Sequence, residues 1–207
     1  YFTYRRDIMS KISKIFTALF ATLIVFSFLG NASAANLTQE QKELYYKEYV
    51  SIVEETNSLY GSDLKLTAFE DWKSTEWVTP EDFKEIATDM ANAEWVVEPD
   101  TGIKPLATTV ASKSASVKLK NTDVKVTVSA SFNTILVSDR QVFSPNLNYV
   151  RSSSNPGTWS QISYNPILQD GNRTMILDVS GAWSYNGLND TTNIRVTFYC
   201  SSTGSVS

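Results

Sequence analysis

The sequence predicts an α+β protein in which an N-terminal acidic helical segment precedes an antiparallel β-sandwich or small barrel. Apolar residues recur at three- and four-residue spacing between residues 39 and 95, whereas from residue 112 they alternate with polar residues. The charge divides at the same place, because residues 35–105 hold 6 basic and 16 acidic side chains while residues 106–207 hold 8 basic and 5 acidic ones. We therefore expect an acidic helical region over 35–105 and an antiparallel β domain over 106–207.

The chain begins with the pattern of a secretory signal peptide. Lys11 and Lys14 form a basic start, Ile15–Leu29 is almost continuously apolar, and Ala32-Ser33-Ala34 is a small-residue cleavage site. The apolar run spans about 15 residues where a membrane-spanning helix needs about 20, so we expect cleavage after Ala34 and no stable membrane anchor afterwards. The resulting division is residues 1–8 as upstream reading frame and residues 9–34 as signal peptide. The predicted location is secreted, or extracellular.

The first predicted helix runs from about residue 39 to residue 60. Thr38-Gln39-Glu40-Gln41 fits a capping box, and Gly61 provides a left-handed stop. The residues of its apolar stripe are Tyr45, Tyr49, Ile52, Val53, Thr56 and Tyr60.

The second predicted helix begins at Thr79-Pro80-Glu81-Asp82, because proline suits the first helical position and acidic residues suit the positive end of the helix dipole. We expect it to end near Trp95. Its apolar stripe consists of Phe83, Ile86, Ala87, Met90 and Ala91. Between the helices, residues 63–69 alternate weakly, which predicts a short strand.

The β domain is predicted from two-residue periodicity and from turn residues. Alternating positions run through Val117 and Leu119 and then from Val124 to Phe132. The further candidate strands are Val142–Val150, Trp159–Leu168, Thr174–Tyr185 and Asn193–Cys200. The predicted turns are Asn121–Asp123, Ser153–Gly157, Asp170–Asn172 and Asn186–Gly187. Short turns between successive strands predict an antiparallel meander. Because the helices carry apolar stripes, we also expect them to pack on this domain.

Composition excludes several classes of chemistry. The sequence has no histidine and one cysteine, Cys200. Catalysis by Ser-His-Asp or Cys-His groups, the usual zinc sites, His-ligated haem and an internal disulfide are therefore excluded. We predict no enzymatic activity and no cofactor, and we assign no catalytic, cofactor-binding or metal residue.

Four segments near the C-terminus resemble a pattern found in uncharacterised small secreted proteins of Gram-positive bacteria. The segments are Thr158-Trp159-Ser160-Gln161, Asp170-Gly171-Asn172-Arg173-Thr174, Val179-Ser180-Gly181 and Phe198-Tyr199-Cys200-Ser201-Ser202-Thr203-Gly204. The resemblance covers residues 105–207. It implies a β-rich exported domain with no established activity, so it transfers no site residue.

Acidic and aromatic residues were weighed for catalysis and for sugar binding. Asp100-Thr101-Gly102 matches the tripeptide of aspartic proteases but lies between prolines, which favours an interdomain turn. The carboxylate pairs Glu54-Glu55, Glu70-Asp71 and Glu81-Asp82 can in principle supply an acid and a base, although adjacent acids are typical of a solvated helix face. The tryptophans Trp72, Trp77 and Trp95 can stack on sugars or form the core of the helical region.

Other polar residues have a structural interpretation beside each functional one. The loops Asn186–Asp190 and Asp170–Asn172 carry oxygen ligands suited to calcium and equally suit hairpin turns. Lys113, Lys118, Lys120 and Lys125 form a basic stripe that favours edge-strand protection over nucleic-acid binding. For Cys200 we expect a buried thiol rather than a nucleophile.

These observations together predict a secreted non-enzymatic protein that acts by binding, or by interaction with the cell envelope or the extracellular medium. A cell-wall glycan and a surface protein both remain open as partners, and nucleic acid is not expected. One alternative is a membrane-active or toxin-like protein, because Ser114–Val137 is long, alternating and Ser/Thr-rich. The other alternative is a hydrolase that uses carboxylates alone.

Overall fold

Two α-helices lead into the sheets of the computed structural model, which describes residues 37–99 and 109–207. Helix α1 covers Gln39–Tyr60, as predicted, and buries Tyr49, Val53 and Thr56. The helix ends at Gly61, whose φ is +67° and whose N–H donates to the Asn57 carbonyl at 2.9 Å. Tyr60 is 43% exposed, so the apolar stripe is one turn shorter than predicted. The predicted signal peptide and Asp100-Thr101-Gly102 lie outside the described residues.

Helix α2 covers Pro80–Ala91 and is capped as its sequence predicts. The Thr79 hydroxyl accepts a hydrogen bond from the Asp82 N–H at 3.2 Å. The predicted stripe is buried at Phe83, Ile86, Ala87 and Met90. The helix ends earlier than the expected end near Trp95, because the Asn92 side chain donates to the Thr88 carbonyl at 2.8 Å and closes the last turn.

An aromatic cluster joins the two helices to the segment between them. Tyr49 stacks on Phe83 with ring centroids 3.9 Å apart and on Trp72 at 5.0 Å. Trp72 and Trp77 are buried beside it. Burial raises the pKa of the Tyr49 phenol, whose hydroxyl donates to the Val78 carbonyl. These two tryptophans therefore form the core of the helical region, which confirms the structural interpretation of them.

Eight strands in residues 37–99 and 109–207 form two antiparallel sheets. They are β1 (Lys65–Leu66), β2 (Val96–Val97), β3 (Val110–Leu119), β4 (Thr122–Val137), β5 (Arg140–Asn155), β6 (Thr158–Gln169), β7 (Thr174–Tyr185) and β8 (Leu188–Tyr199). The first sheet has the order β1-β8-β7-β6 and the second has the order β2-β3-β4-β5. The prediction of an α+β fold with antiparallel strands is confirmed. Strand β1 lies in the weakly alternating segment, whereas β2 was not predicted.

The main apolar core lies between the sheets, so the β region is sandwich-like. Its buried members on the second sheet are Ala111, Ala115, Val126, Val128, Ala130, Phe132, Phe143 and Val150. Its buried members on the first sheet and the C-terminal tail are Met175, Leu177, Val179, Ile194, Val196, Phe198, Cys200 and Val206. Trp95 and Trp159 pack against this core at its margin.

The helical region contacts the β region, as predicted, but it does so through strand pairing and polar bonds, whereas the apolar stripes of the two helices meet in the aromatic cluster. Strand β1 pairs with β8, and the Thr67 N–H donates to the Gly187 carbonyl at 2.8 Å. On the other sheet, the N–H of Lys120 donates to the Asp89 carboxylate. The acidic region thus contributes one short strand to each sheet and an ion-paired helix beside the β3–β4 turn. No helix in residues 37–99 and 109–207 has both the length and the apolar run needed to cross a membrane.

Most of the predicted turns lie where the sequence indicated them. Asn186 and Gly187 have φ values of +45° and +73°, the left-handed pair expected of a tight hairpin. The β3–β4 turn is centred one residue before the predicted position, and Lys120 adopts φ +50°. The turn at Ser138 and Asp139 was not predicted, because neither glycine nor asparagine marks it. Both residues nevertheless have positive φ.

Candidate functional site

The outer face of the second sheet presents an ordered array of hydroxyl groups. Strands β3, β4 and β5 bury alternate residues in the core, so the intervening residues point outward. The pairing register places these residues in rows across the three strands. The rows are Ser112, Ser129 and Arg151; Ser114, Thr127 and Ser153; and Ser116, Lys125 and Asn155. We call this surface the hydroxyl face.

Hydrogen bonds between neighbouring strands order the hydroxyl groups. The side chains of Ser112 and Ser129 lie 2.7 Å apart, oxygen to oxygen, and those of Ser114 and Thr127 lie 2.9 Å apart. Each hydroxyl has one proton to donate and two lone pairs to accept with, so one bond to a neighbour leaves part of its capacity for a ligand. Hydrogen bonds between neighbouring strands therefore fix the rotamers of these side chains. The surface that they form can both donate and accept further hydrogen bonds.

One end of the hydroxyl face carries an aromatic ring and a cation. The Arg151 guanidinium lies 5.0 Å from the centroid of the Tyr149 ring. Beside them, the Asn133 amide donates to the Asn148 side chain at 3.0 Å, and Asn148 donates to the Ser131 hydroxyl at 3.1 Å. Among the described residues, the Arg151 side chain contacts the Tyr149 ring and forms no ion pair with a carboxylate. Its charge is therefore available to an anionic group.

A shallow depression lies at the opposite end of the same face. Its lining consists of Asp123, Lys125, Thr127, Ser153, Ser154, Asn155 and Pro156. Lys125 Nζ lies 2.7 Å from a carboxylate oxygen of Glu98, just after β2. This lysine is thus partly neutralised, and the face as a whole is polar.

A second, open groove lies between α2 and the β3–β4 turn. Lys120 contacts the Asp82 carboxylate there, and its Nζ lies 2.9 Å from a Glu85 oxygen. The hydrogen bond from Lys120 lowers the pKa of Asp82 below its ordinary value. The same pairing raises the pKa of Lys120. Lys120 therefore favours the ionised form of Asp82, and the contacts in this groove join the helix to the sheet.

The carboxylate pairs do not come together. Glu54, Glu55, Glu70, Asp71 and Glu81 are exposed. Glu55 Oε2 accepts from Lys84 at 3.1 Å, as is typical of a solvated helix face. A glycosidase needs two carboxyl groups facing each other across a substrate, and these pairs provide no such arrangement.

The candidate calcium loops use their oxygen atoms internally. The Asp170 carboxylate accepts from the Thr174 hydroxyl at 2.7 Å. The Asp190 carboxylate accepts from Trp183 Nε1 at 3.3 Å, and the Asn189 amide donates to the Thr67 hydroxyl at 2.9 Å. Over residues 37–99 and 109–207, no group of three metal-ligating side chains comes together. Both loops are hairpin turns.

The lysines of the predicted basic stripe do not share one face. Lys113 lies on the core-facing side of β3, between Ala111 and Ala115, whereas Lys118 points outward. Lys120 and Lys125 are ion-paired with acids of the helical region. The stripe therefore divides between docking the helical region and covering the surface of the sheet.

Cys200 is a buried thiol, as predicted. It is 3% exposed and follows β8 directly, where it forms an isolated bridge with Val206. Burial raises the pKa of the thiol, although the nearby Arg140 acts in the opposite direction. A raised pKa leaves little thiolate at neutral pH, so the geometry favours a structural role.

Trp95, the third tryptophan considered for sugar binding, packs edge-on against Trp183 with ring centroids 5.1 Å apart. Trp159 lies over Gly181 and donates to the Ser152 hydroxyl at 2.7 Å.

Sequence reasoning identified one wet sheet face but not the hydroxyl array, because the register between strands cannot be read from alternation alone. Comparisons with protein-family models, with curated proteins and with solved structures gave no match.

Proposed function

We propose that this chain is an exported, non-enzymatic binding module built on a β-sandwich, and that its hydroxyl face binds a glycan of the cell envelope. The observation that carries the proposal is the array of paired serine and threonine hydroxyls on β3 and β4, continued by Ser153 and Asn155 on β5. Such groups complement the hydroxyls of a sugar, which also donate and accept.

The shape of the face favours an extended ligand. Small molecules are usually held in concave, enclosed and largely apolar pockets, whereas both described depressions are open and polar. An open polar face can instead bind a polymer along its length. The sandwich supports this role, because a packed core holds the three strands in fixed register.

The Tyr149–Arg151 end defines the class of glycan. A tyrosine ring offers an apolar surface to the face of a sugar, and an unpaired guanidinium binds carboxylate or phosphate. We therefore expect a glycan that carries acidic groups. Since the chain from residue 35 onward is itself acidic, this local cation has to overcome repulsion over longer range, which salt screens more strongly than the close contact at Arg151.

The test is equilibrium binding of the chain from Ala35 onward to purified acidic cell-wall polysaccharide. Tyr149→Ala and Arg151→Gln should each weaken binding at least tenfold. Matched controls on other surfaces are Tyr199→Ala, which removes a tyrosine that is 54% exposed, and Arg173→Gln. Unchanged binding in the first two variants, or equal loss in the controls, would contradict the assignment of the site.

Export has its own test. Intact mass of the protein recovered from the culture medium should correspond to a chain that starts at Ala35. Retention of residues 9–34 in that material would show that the N-terminal segment is not removed as a signal peptide.

A further inference from the structure

The two ends of the hydroxyl face carry opposite charges. Arg151 lies at one end, and Asp123 lies at the other, where it lines the shallow depression. Asp123 is exposed and precedes a buried residue of β4, so its side chain points to the outer face of the sheet. Lys118 is its cross-strand neighbour, but among the described residues Asp123 forms no ion pair. A free cation and a free carboxylate therefore mark the two ends of one surface.

The depression at the Asp123 end has a charge of its own. It has a volume of about 430 Å³, which lies toward the lower end of the range for small-ligand sites, so it can receive one sugar of a longer chain. Lys125 lines it but is already paired with Glu98, whose carboxylate oxygen lies 2.7 Å from Nζ. The carboxylate of Asp123 therefore remains as the uncompensated charge of the depression.

The two charges are separated along the strands. Arg151 pairs with Ser129, and Ser129 lies on the same strand as Asp123. At about 3.3 Å per residue, the rows of Arg151 and Asp123 are about 20 Å apart. Across the strands the face is about 10 Å wide, because neighbouring strands are spaced by about 4.8 Å. The long dimension of the face therefore runs along β4 and β5.

The residues beside β3 favour the same direction for a bound chain. Strand β2 places the exposed Val96 next to Ser116, and Glu98 follows one residue after this strand. The Glu98 N–H donates to the Ser114 carbonyl at 2.8 Å, which fixes Glu98 beside the middle of the face. An acidic glycan laid across the strands would meet the Glu98 carboxylate. A glycan laid along β4 and β5 would instead run from Arg151 to the depression.

We infer that the depression is a second subsite of the hydroxyl face, which accepts a neutral or amine-bearing sugar and rejects an acidic one. This inference rests on the proposed function, because it requires that a glycan binds this face. The glycan runs along β4 and β5, with an acidic sugar at Arg151 and a non-acidic sugar about 20 Å away at Asp123. The ligand class is therefore a glycan with separate acidic and non-acidic positions, and a polymer with an acidic group on every sugar is disfavoured.

Charge and hydrogen bonding both contribute to this selection. An ionised carboxylate only accepts hydrogen bonds, so Asp123 can bind sugar hydroxyls or an ammonium group but repels a carboxylate or a phosphate. The side chains of Thr127, Ser153 and Asn155 also line the depression and can both donate and accept. Because Asp123 is exposed, salt screens the repulsion, and we expect it to change affinity by a few fold.

The experiment measures equilibrium binding of three six-sugar probes to the chain from Ala35 onward at low ionic strength. Cellohexaose has no charge, cellohexaonate has one carboxylate at its oxidised end, and hexagalacturonate has a carboxylate on every sugar. Asp123→Asn should raise the affinity for hexagalacturonate at least threefold and leave the affinity for cellohexaonate unchanged. The matched control is Asp71→Asn, which removes the same charge from an exposed residue of the helical region and should change neither affinity.

The variant Arg151→Gln tests the other end of the face. In this variant the affinity for cellohexaonate should fall to that for cellohexaose, because the cation that distinguishes the two probes is gone. A preference for cellohexaonate that persists in Arg151→Gln would place the carboxylate elsewhere and overturn the orientation along the strands.

The remaining outcomes separate this inference from the proposed function. If Tyr149→Ala weakens binding of the probes while Asp123→Asn and Asp71→Asn act alike on hexagalacturonate, the face binds glycan and the second subsite is overturned. Weaker binding of hexagalacturonate by Asp123→Asn would also overturn it, because Asp123 would then help to bind the acidic polymer. If the wild-type chain binds none of the three probes at millimolar concentration, the proposed function itself fails, and this inference fails with it.

Discussion

Replacing Gly187 with alanine tests the contact between the helical region and the β7–β8 turn. Gly187 has φ +73°, and a Cβ built on it would lie 2.3, 2.5 and 2.8 Å from three atoms of the Trp72 indole. The left-handed conformation costs a non-glycine residue about 1–2 kcal/mol. Overpacking against a ring that is itself buried adds about 1–3 kcal/mol. We therefore expect Gly187→Ala to lower the free energy of unfolding by about 2–5 kcal/mol.

Gly171 provides the matched control, because it has a similar φ of +61° but no atom within 4 Å of the added Cβ. Gly171→Ala should therefore lower the free energy of unfolding only by the cost of the left-handed conformation, about 1–2 kcal/mol. The difference between the two variants measures the clash with Trp72. Urea denaturation of the chain from Ala35 onward, followed by tryptophan fluorescence, gives both free energies.

A double-mutant cycle completes the test. Trp72→Leu removes the ring from the turn, so Gly187→Ala should cost less in that background than in the wild type, while Gly171→Ala should cost the same in both. Equal destabilisation by Gly187→Ala and Gly171→Ala, within about 0.5 kcal/mol, would refute the reasoning. It would mean that Trp72 does not pack on the turn in solution.

Three further predictions concern the thiol, the ion pair and the helical region. Cys200→Ser should cost about 1–2 kcal/mol in denaturant melts, because a hydroxyl replaces a buried thiol, and rapid labelling of the native thiol would contradict its burial. The stability contributed by Asp82 is present above its ordinary pKa and is lost as pH falls through the lowered value. Asp82→Asn should therefore reduce the slope of the unfolding free energy against pH below about 4. An unchanged slope would show that Lys120 does not stabilise the ionised form of Asp82. Residues 35–105 expressed alone should show no cooperative thermal melt by circular dichroism, because β1 and β2 would lose their partner strands. A cooperative melt of the helical signal would show that residues 35–105 form an independent domain.

Local signals in the sequence predicted much of the fold. The capping residue Thr79 and the stop at Gly61 mark their helix ends because each makes or requires a contact within a few residues. The hairpin at Asn186–Gly187 was predicted for the same reason, since both residues tolerate positive φ. Features of this kind depend on the nearest neighbours along the chain and can be read from it.

Features that depend on distant residues were not predicted. Strand β2 is two residues long and pairs with Ala115 and Ser116, so no periodicity marks it. The hydroxyl face depends on the register in which β3, β4 and β5 pair. Alternation does not determine that register, because a shift by two residues preserves the alternating pattern.

The pairing of β1 with β8 affects when the protein can fold. The Asn189 side chain donates to the Lys65 carbonyl across 124 positions of sequence, so the first sheet gains its first strand only when the chain up to Asn189 is present. Closing so long a loop slows folding relative to local contacts. We therefore expect the aromatic segment around Trp72 to meet the β7–β8 turn late in folding.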